Sequence, residues 1–393
     1  MKRVLPGQGD TVGAVLDRNK GVGPGFDLLR VLLALMVFYV HTKSISQVVP
    51  TAGEAQALAT LGGSIAVAVA AHTSAWDGWF RPILVAILPM FFALSGFLVA
   101  GSALRIKRVS TFLAFRVLRL WPALITEITL SALILGPLFT TLDLREYFSN
   151  WSTYSYFGNL VGDIRYVLPG VFEHHGTVIV NGNLRTLPAE FLCYAAAAVL
   201  MVFKVLYSRV WFTSAMILAT CIVVPLNMFS DFAVMPMFVS DLTLVYYFMA
   251  GVTLFHWRDK LTLQPWLALA AGAIAFLFLE FKHTVFLAPL PLTYCTVYFG
   301  MLTLPKIPLL RKGDYSYGIY LYGFPICQAC IAVMPFLIGH RLALFCIGGL
   351  FTCLFAAFSW HVIEKPSLSL KRLLPISLFP PAKMVPVLQS PAS

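Results

Sequence analysis

Residues 26–44 read FDLLRVLLALMVFYVHTKS, and their reading decides the fold. Ten apolar or aromatic residues separate Arg30 from His41 without interruption. Eleven helical steps bring a side chain back to within about 20° of its starting direction, so the two polar residues share one face. Along the axis they stand about 16 Å apart, roughly half the hydrocarbon core of a bilayer. A helix from Phe26 to Ile45 is just long enough to span. Ionisable groups at membrane depth are expensive and face a bundle interior or a wet cavity. Function is therefore sought first around Arg30 and His41.

The 393 residues around this stretch are 59% hydrophobic and only 11% charged, with a mean hydropathy of +0.82. A soluble protein carries about 25% charged residues, so the fold class is an all-α polytopic membrane protein. The net charge of +11 does not indicate nucleic acid. Its basic residues cluster in short loops between apolar runs, as membrane topology requires. The polar, Gly-rich residues 1–25 are followed by no A-x-A-like site, so no secretory signal is expected. The seven cysteines all lie in apolar stretches and imply no disulfide framework. Cys327 and Cys330 form a C-x-x-C without a second ligand pair, which reads as buried small side chains.

Ten spans are expected: 26–45, 82–101, 112–139, 187–206, 211–229, 234–255, 262–281, 285–304, 315–337 and 341–362. A small-residue run, Ala57 to Ala71, is short and broken by Gly, and is read as part of a connection running from Ser46 to Arg81. An aromatic-rich polar loop is expected from Thr140 to Arg185. With the N-terminus inside, the outer segments hold only Lys43, Arg81, Arg145, Arg165, Arg185, Lys282 and Arg341, which is 7 of the 28 basic residues. The inner excess of the remaining 21 is what the positive-inside rule requires, and an added span at 57–71 would destroy it. Both termini are thus expected in the cytoplasm. Residues 1–25 form an N-terminal segment, 26–372 the membrane domain, and 373–393 a Pro-rich tail.

Each polar candidate has two readings. His41 is either a functional imidazole or a satisfied histidine bonding a neighbouring helix. Asp27 can pair with Arg30 one turn away. Arg116 and Arg119 either snorkel to lipid phosphates or form a forked cradle for a phosphorylated molecule arriving from the cytoplasm. Glu190 can orient a histidine, bind a sugar hydroxyl or favour a helix start. Ser95–Gly96 in the second span marks either a binding surface, with Ser95 as the candidate, or close helix packing.

Together these segments resemble the acyltransferase-3 family of membrane-bound O-acyltransferases. Asp27, Arg30 and His41 match its D-x-x-R opening and R-x10-H motif. FFALSGFLV resembles F-x-x-SGF, and FRVLRLWPA resembles R-x-x-R followed by an aromatic residue and proline. NGNLRTLPAEFLCY resembles N-G-S-L-W-T-L-x-x-E, YSYGIYLYGFPI resembles S-Y-x-x-Y-L, and HVIEKPSLSLKR resembles the closing E-[KR]-P segment. The similarity covers residues 26 to 372. Two departures concern the acceptor side: Arg185 stands where the family commonly has Trp, and Gly323 where many relatives have His.

The resemblance implies transfer of an acyl group, with acetyl favoured, from cytoplasmic acetyl-CoA or a similar thioester to a hydroxyl of a bacterial polysaccharide or other glycan. It implies an inner-membrane location and no metal. Arg116 and Arg119, with Ser95 and Arg30 nearby, would hold the donor. His41 would be general base or acyl carrier, and Glu190 its orienter or a sugar ligand. No soluble hydrolase-like domain is expected after the bundle, so any transfer is expected to be finished within it or by another protein. A different class, a glycan or lipid-linked-sugar transporter or flippase, would use the same intramembrane groups as a pathway. Such proteins often show repeats in hydropathy, which are not evident here.

Overall fold

The computed structural model describes residues 9–47, 75–106, 108–230, 234–235, 238–303 and 313–373. The Ala57 to Ala71 run, Lys2, Arg3, Lys107, Lys306, Arg311, Lys312 and the tail beyond residue 373 lie outside the described residues. Among the described residues, a short helix α1, Val12–Arg18, precedes a bundle of ten longer ones. These are α2 (Phe26–Ile45), α3 (Ala75–Arg105), α4 (Val109–Leu130), α5 (Leu187–Val202), α6 (Arg209–Ser230), α7 (Asp241–His256), α8 (Pro265–Glu280), α9 (Pro289–Met301), α10 (Ser316–Val333) and α11 (Arg341–Ser359).

Helices thus stand at all ten expected positions, with corrected bounds. Among the described residues, seven segments, containing α2 to α6, α10 and α11, are long and apolar enough to cross a membrane. The other three have 16, 16 and 13 residues, short of the roughly 20 that a full crossing takes. Helix α3 begins at Ala75 rather than Pro82 and carries both Pro82 and Pro89 within it. The expected span at 234–255 starts instead at Asp241. Val234–Met235 pairs antiparallel with Phe238–Val239, and the Ser240 hydroxyl then caps α7 by accepting the Thr243 N–H at 3.3 Å. The expected loop 140–185 holds short helices at Leu144–Ser149 and Trp151–Ser155, packed under α4 by Tyr147 and Tyr156.

Residues before α2 are folded onto the bundle. The Val12 N–H donates to the Leu261 carbonyl at 2.9 Å, between α7 and α8. Arg81 of α3 donates to the Leu279 and Glu280 carbonyls, both at 3.0 Å, where the last turn of α8 lacks helical partners.

Helices α3 and α7 cross closely, and this crossing explains the Ser-Gly-Phe segment. A Cβ on Gly96 would collide with the Phe248 carbonyl, and one on Gly251 with the Ala93 carbonyl. Each glycine admits the other helix's backbone, the small-residue contact that membrane helices use in place of a hydrophobic driving force. Gly96 is therefore a packing residue, whereas Ser95 beside it lines a cavity.

Gly251→Val should lower the stability of the detergent-solubilised protein by roughly 3 kcal/mol, because backbone cannot yield as a side chain can. Gly272→Ala in α8 is the control. Its new methyl would meet only the Cys295 sulfur, at 3.5 Å, and should be neutral or mildly stabilising. Thermal melting of both variants decides between a required crossing and an incidental one.

Candidate active site

Three arginines converge at one end of the bundle. Arg30 leaves the first turns of α2, and Arg116 and Arg119 leave α4. Three helical steps cover 300°, so the last two diverge by about 60° and address different neighbours. Arg119 donates to Asp314 Oδ2 at 2.6 Å, and Arg30 reaches the same oxygen at 3.1 Å. The other oxygen, Oδ1, accepts from the Ser316 hydroxyl at 2.6 Å, just ahead of α10. A second carboxylate, Glu364, lies 3.6 Å from Arg119, whose guanidinium sits between the rings of Tyr317 and Trp360.

Arg116 points the other way. It donates to the Ser102 hydroxyl at 3.3 Å and lies over the rings of Phe112 and Tyr194. Its Nε is buried without a partner, and among the described residues it forms no ion pair. The Glu190 charge acts on Arg116 without forming an ion pair, so the half-buried guanidinium keeps capacity for a further anion. Lys371 adds a nearby cation, its Nζ 5.2 Å from the Phe115 ring.

Between these groups lies a cavity of about 180 Å³, lined by Arg30, Ser95, Arg116, Arg119, Glu190 and Asn183 among others. Five of the six residues singled out from the sequence thus share one space. Glu190 accepts a hydrogen bond from Tyr194 at 2.7 Å and faces the arginines rather than His41.

His41 is the sixth and does not line the cavity. Its ring meets Phe324 edge-on at 5.2 Å, and its polar neighbours are the Asn183 amide and the charge of Arg185. Arg185 also donates to the Val239 carbonyl at 2.8 Å. The Gly323 position is filled from α2: a Cβ there would stand 2.7 Å from the Phe38 ring.

Three residues central to this geometry were not identified from the sequence. Asp314 precedes the S-Y-x-x-Y-L block, and an acid beside a membrane segment with unpaired arginines elsewhere was the available signal. Glu364 is the Glu of the E-K-P segment. Asn183 stands where the N-G-S-L-W-T-L pattern has Ser, a departure beside the one at Arg185. Among the described residues no group of three or more His, Cys, Asp or Glu side chains is placed to hold a metal ion.

With the site defined, comparison with known proteins places the chain. The acyltransferase domain family matches residues 24–361, and the chain belongs to that family: it is a multi-pass membrane protein with an acyltransferase domain. It is similar to an O-acetyl transferase of Shigella phage Sf6, 26% identical over 70% of this chain and 82% of that one. It is also similar to nodulation protein 10 of Rhizobium leguminosarum bv. viciae, 26% identical over 92% of this chain and 98% of that one. No solved structure matches it. The transporter alternative is set aside by this membership.

Burial pushes the Asp314 carboxyl up, but Arg119, Arg30 and the Ser316 bonds outweigh it and hold it at about 2. A carboxyl held below its unfolded value contributes stability above that value and loses it as the pH falls through the folded one. Between about pH 4 and pH 2 the protein should lose roughly 2–3 kcal/mol from this group. Asp314→Asn should be less stable at neutral pH and should flatten that window. Melting curves of both forms across it provide the measurement, and parallel curves would remove the Asp314 charge from the account.

Proposed function

We propose that the protein transfers an acetyl group from acetyl-CoA, bound at the arginine end, to a hydroxyl of a surface polysaccharide or related glycan, with His41 as general base. The single observation that carries this reading is Arg116, a half-buried cation with an unpartnered Nε and no ion pair among the described residues. Arg119 and Arg30 share a carboxylate, while Arg116 bonds the Ser102 hydroxyl, lies over two rings and feels the Glu190 charge without an ion pair. A phosphorylated donor supplies an anion within bonding reach, and snorkelling to lipid does not account for a guanidinium half-buried against Tyr194 and Phe112. The cavity beside it suits the thioester end of such a donor rather than a whole nucleotide. The phage relative's name supports an acetyl group and an oxygen acceptor.

In this reading the acceptor hydroxyl attacks the thioester carbonyl as the His41 imidazole takes its proton. The carbon–sulfur bond breaks, and the leaving thiolate takes a proton in turn. The products are an ester and free CoA thiol, and the imidazole returns to its starting state. Glu190 and Ser95 are assigned to the donor side, since both line the arginine cavity.

The reading is tested by release of CoA thiol from acetyl-CoA, with de-O-acetylated polysaccharide of the producing cell as acceptor. His41→Gln should bind CoA normally yet turn over at least about a hundredfold more slowly. Arg116→Ala should weaken CoA binding by roughly 2–5 kcal/mol, and Arg116→Lys should recover part of it, because charge survives without the planar fork. Persistent turnover in His41→Gln would remove the base role, and unchanged CoA affinity in Arg116→Ala would remove the donor site.

The orientation is part of the proposal. The basic-residue asymmetry supports a bacterial inner membrane with both termini and the arginine end in the cytoplasm. Ser152 is exposed in the segment between α4 and α5. Ser152→Cys in intact spheroplasts should therefore react with a membrane-impermeant maleimide. Labelling only after lysis would invert the topology.

A further inference from the structure

Asn183 lies at the junction of two environments. It lines the arginine-end cavity, and its side chain neighbours the imidazole of His41. Its amide group can face only one way. The Nδ2 donates to the Tyr320 carbonyl on α10, and a flipped amide would set oxygen against oxygen there. The amide oxygen is therefore directed away from Tyr320. It is buried and has no hydrogen-bond partner among the described residues, His41 included. A buried acceptor left without a donor costs free energy, so this oxygen needs a proton from its neighbour.

The backbone under Asn183 is held with equal definition. Its N–H donates to Asn181 Oδ1 at 3.0 Å. Asn181 in turn donates to Glu127 Oε1 at 2.8 Å and to the Leu321 carbonyl at 2.9 Å. Glu127, 1% exposed on α4, also accepts from the Ser131 hydroxyl at 2.9 Å. A chain of hydrogen bonds thus runs from a buried carboxyl on α4, through Asn181, to the residue beside His41 on α2. None of these three residues is used in the transfer chemistry proposed above.

We propose that Asn183 is a positioning residue for His41. Its amide oxygen accepts the N–H of one ring nitrogen and so leaves the second nitrogen without a proton, with Asn181 and Glu127 as the anchor that fixes the amide. This deepens the proposed function and rests on the base role of His41. The demand is chemical: a neutral imidazole has one donor and one acceptor nitrogen, and the partner of the donor decides which nitrogen is the base. Arg185 is the charged group facing His41, and Phe324 packs edge-on against the ring, so neither offers the imidazole an acceptor.

The test compares Asn183→Asp, Asn183→Leu, Glu127→Gln and His41→Gln in the thiol-release assay, with kcat, donor KM and the pH profile measured for each. Asn183→Leu should lose kcat by about ten- to a hundredfold, with donor KM within about twofold, because orientation rather than binding is removed. Asn183→Asp keeps an acceptor of the same size and adds charge beside the ring. It should retain turnover and move the low-pH limb of kcat to higher pH by about one unit. Glu127→Gln keeps the oxygen that Asn181 and Ser131 use, and should stay within about threefold of the native kcat. If Asn183→Leu fails to fold, the aspartate variant alone decides. An unmoved limb there, with His41→Gln inactive, overturns the positioning role while leaving His41 as base. A kcat that survives in folded Asn183→Leu overturns it as well. Turnover that survives in His41→Gln overturns the base role itself and this inference with it.

Discussion

One carboxylate oxygen shared by two guanidiniums ties together α2, α4 and α10. Asp314 Oδ2 meets Arg119 at 2.6 Å and Arg30 at 3.1 Å, and its other oxygen is held by Ser316. Removing one member of such a buried cluster leaves the others uncompensated, which is far more costly than the net worth of the intact set. The geometry of α2 depends on this anchor. The helix is rigid over the distance from Arg30 to His41, so fixing the first also aims the second. The cluster also divides the arginines by task. Arg30 and Arg119 are paired with Asp314, whereas Arg116 feels the Glu190 charge without an ion pair among the described residues.

Two interruptions of regular helix accompany the buried glutamates. A π-helical segment, Ser131–Leu135, follows α4 directly after the turn that carries Glu127, and another, Trp360–Glu364, ends at Glu364. Such segments concentrate at functional sites because the widened turn redirects side chains that a regular helix would present elsewhere. Here Ser131 returns to Glu127, and Ser359 reaches Glu364 at 3.2 Å. Both carboxyls are buried with at least one hydroxyl partner, which lowers the cost of placing them inside an apolar bundle.

The shared face of Arg30 and His41 was legible because it needs only helix geometry and an uninterrupted apolar run. The close crossing at Gly96 was legible as one of two readings of a small-residue segment. Arg116 and Arg119 were legible as a pair on one helix, but not that they turn to different partners, Arg119 to Asp314 and Arg116 to Ser102. Spacing gives the direction of each arginine relative to the other and says nothing of what stands opposite. Glu190 was placed in the site by its motif, yet its neighbours, Tyr194 and the arginines, were set by how α5 leans on α4. The helix bounds at Ala75 and Asp241 were missed for local reasons. Pro82 reads as a first-turn residue, and a hairpin within an apolar run looks like more helix.

The sequence by itself determined the membrane class, the positions of the ten helices and the candidate residues, since apolar length and helical period are properties of consecutive residues. Only the tertiary structure decided which acids meet which arginines and that Asn183, not Glu190, stands beside His41. Those pairings join residues far apart in the chain, such as Arg30 with Asp314 and Asn181 with Glu127. They follow from the order in which the helices pack against one another, and no local pattern encodes that order.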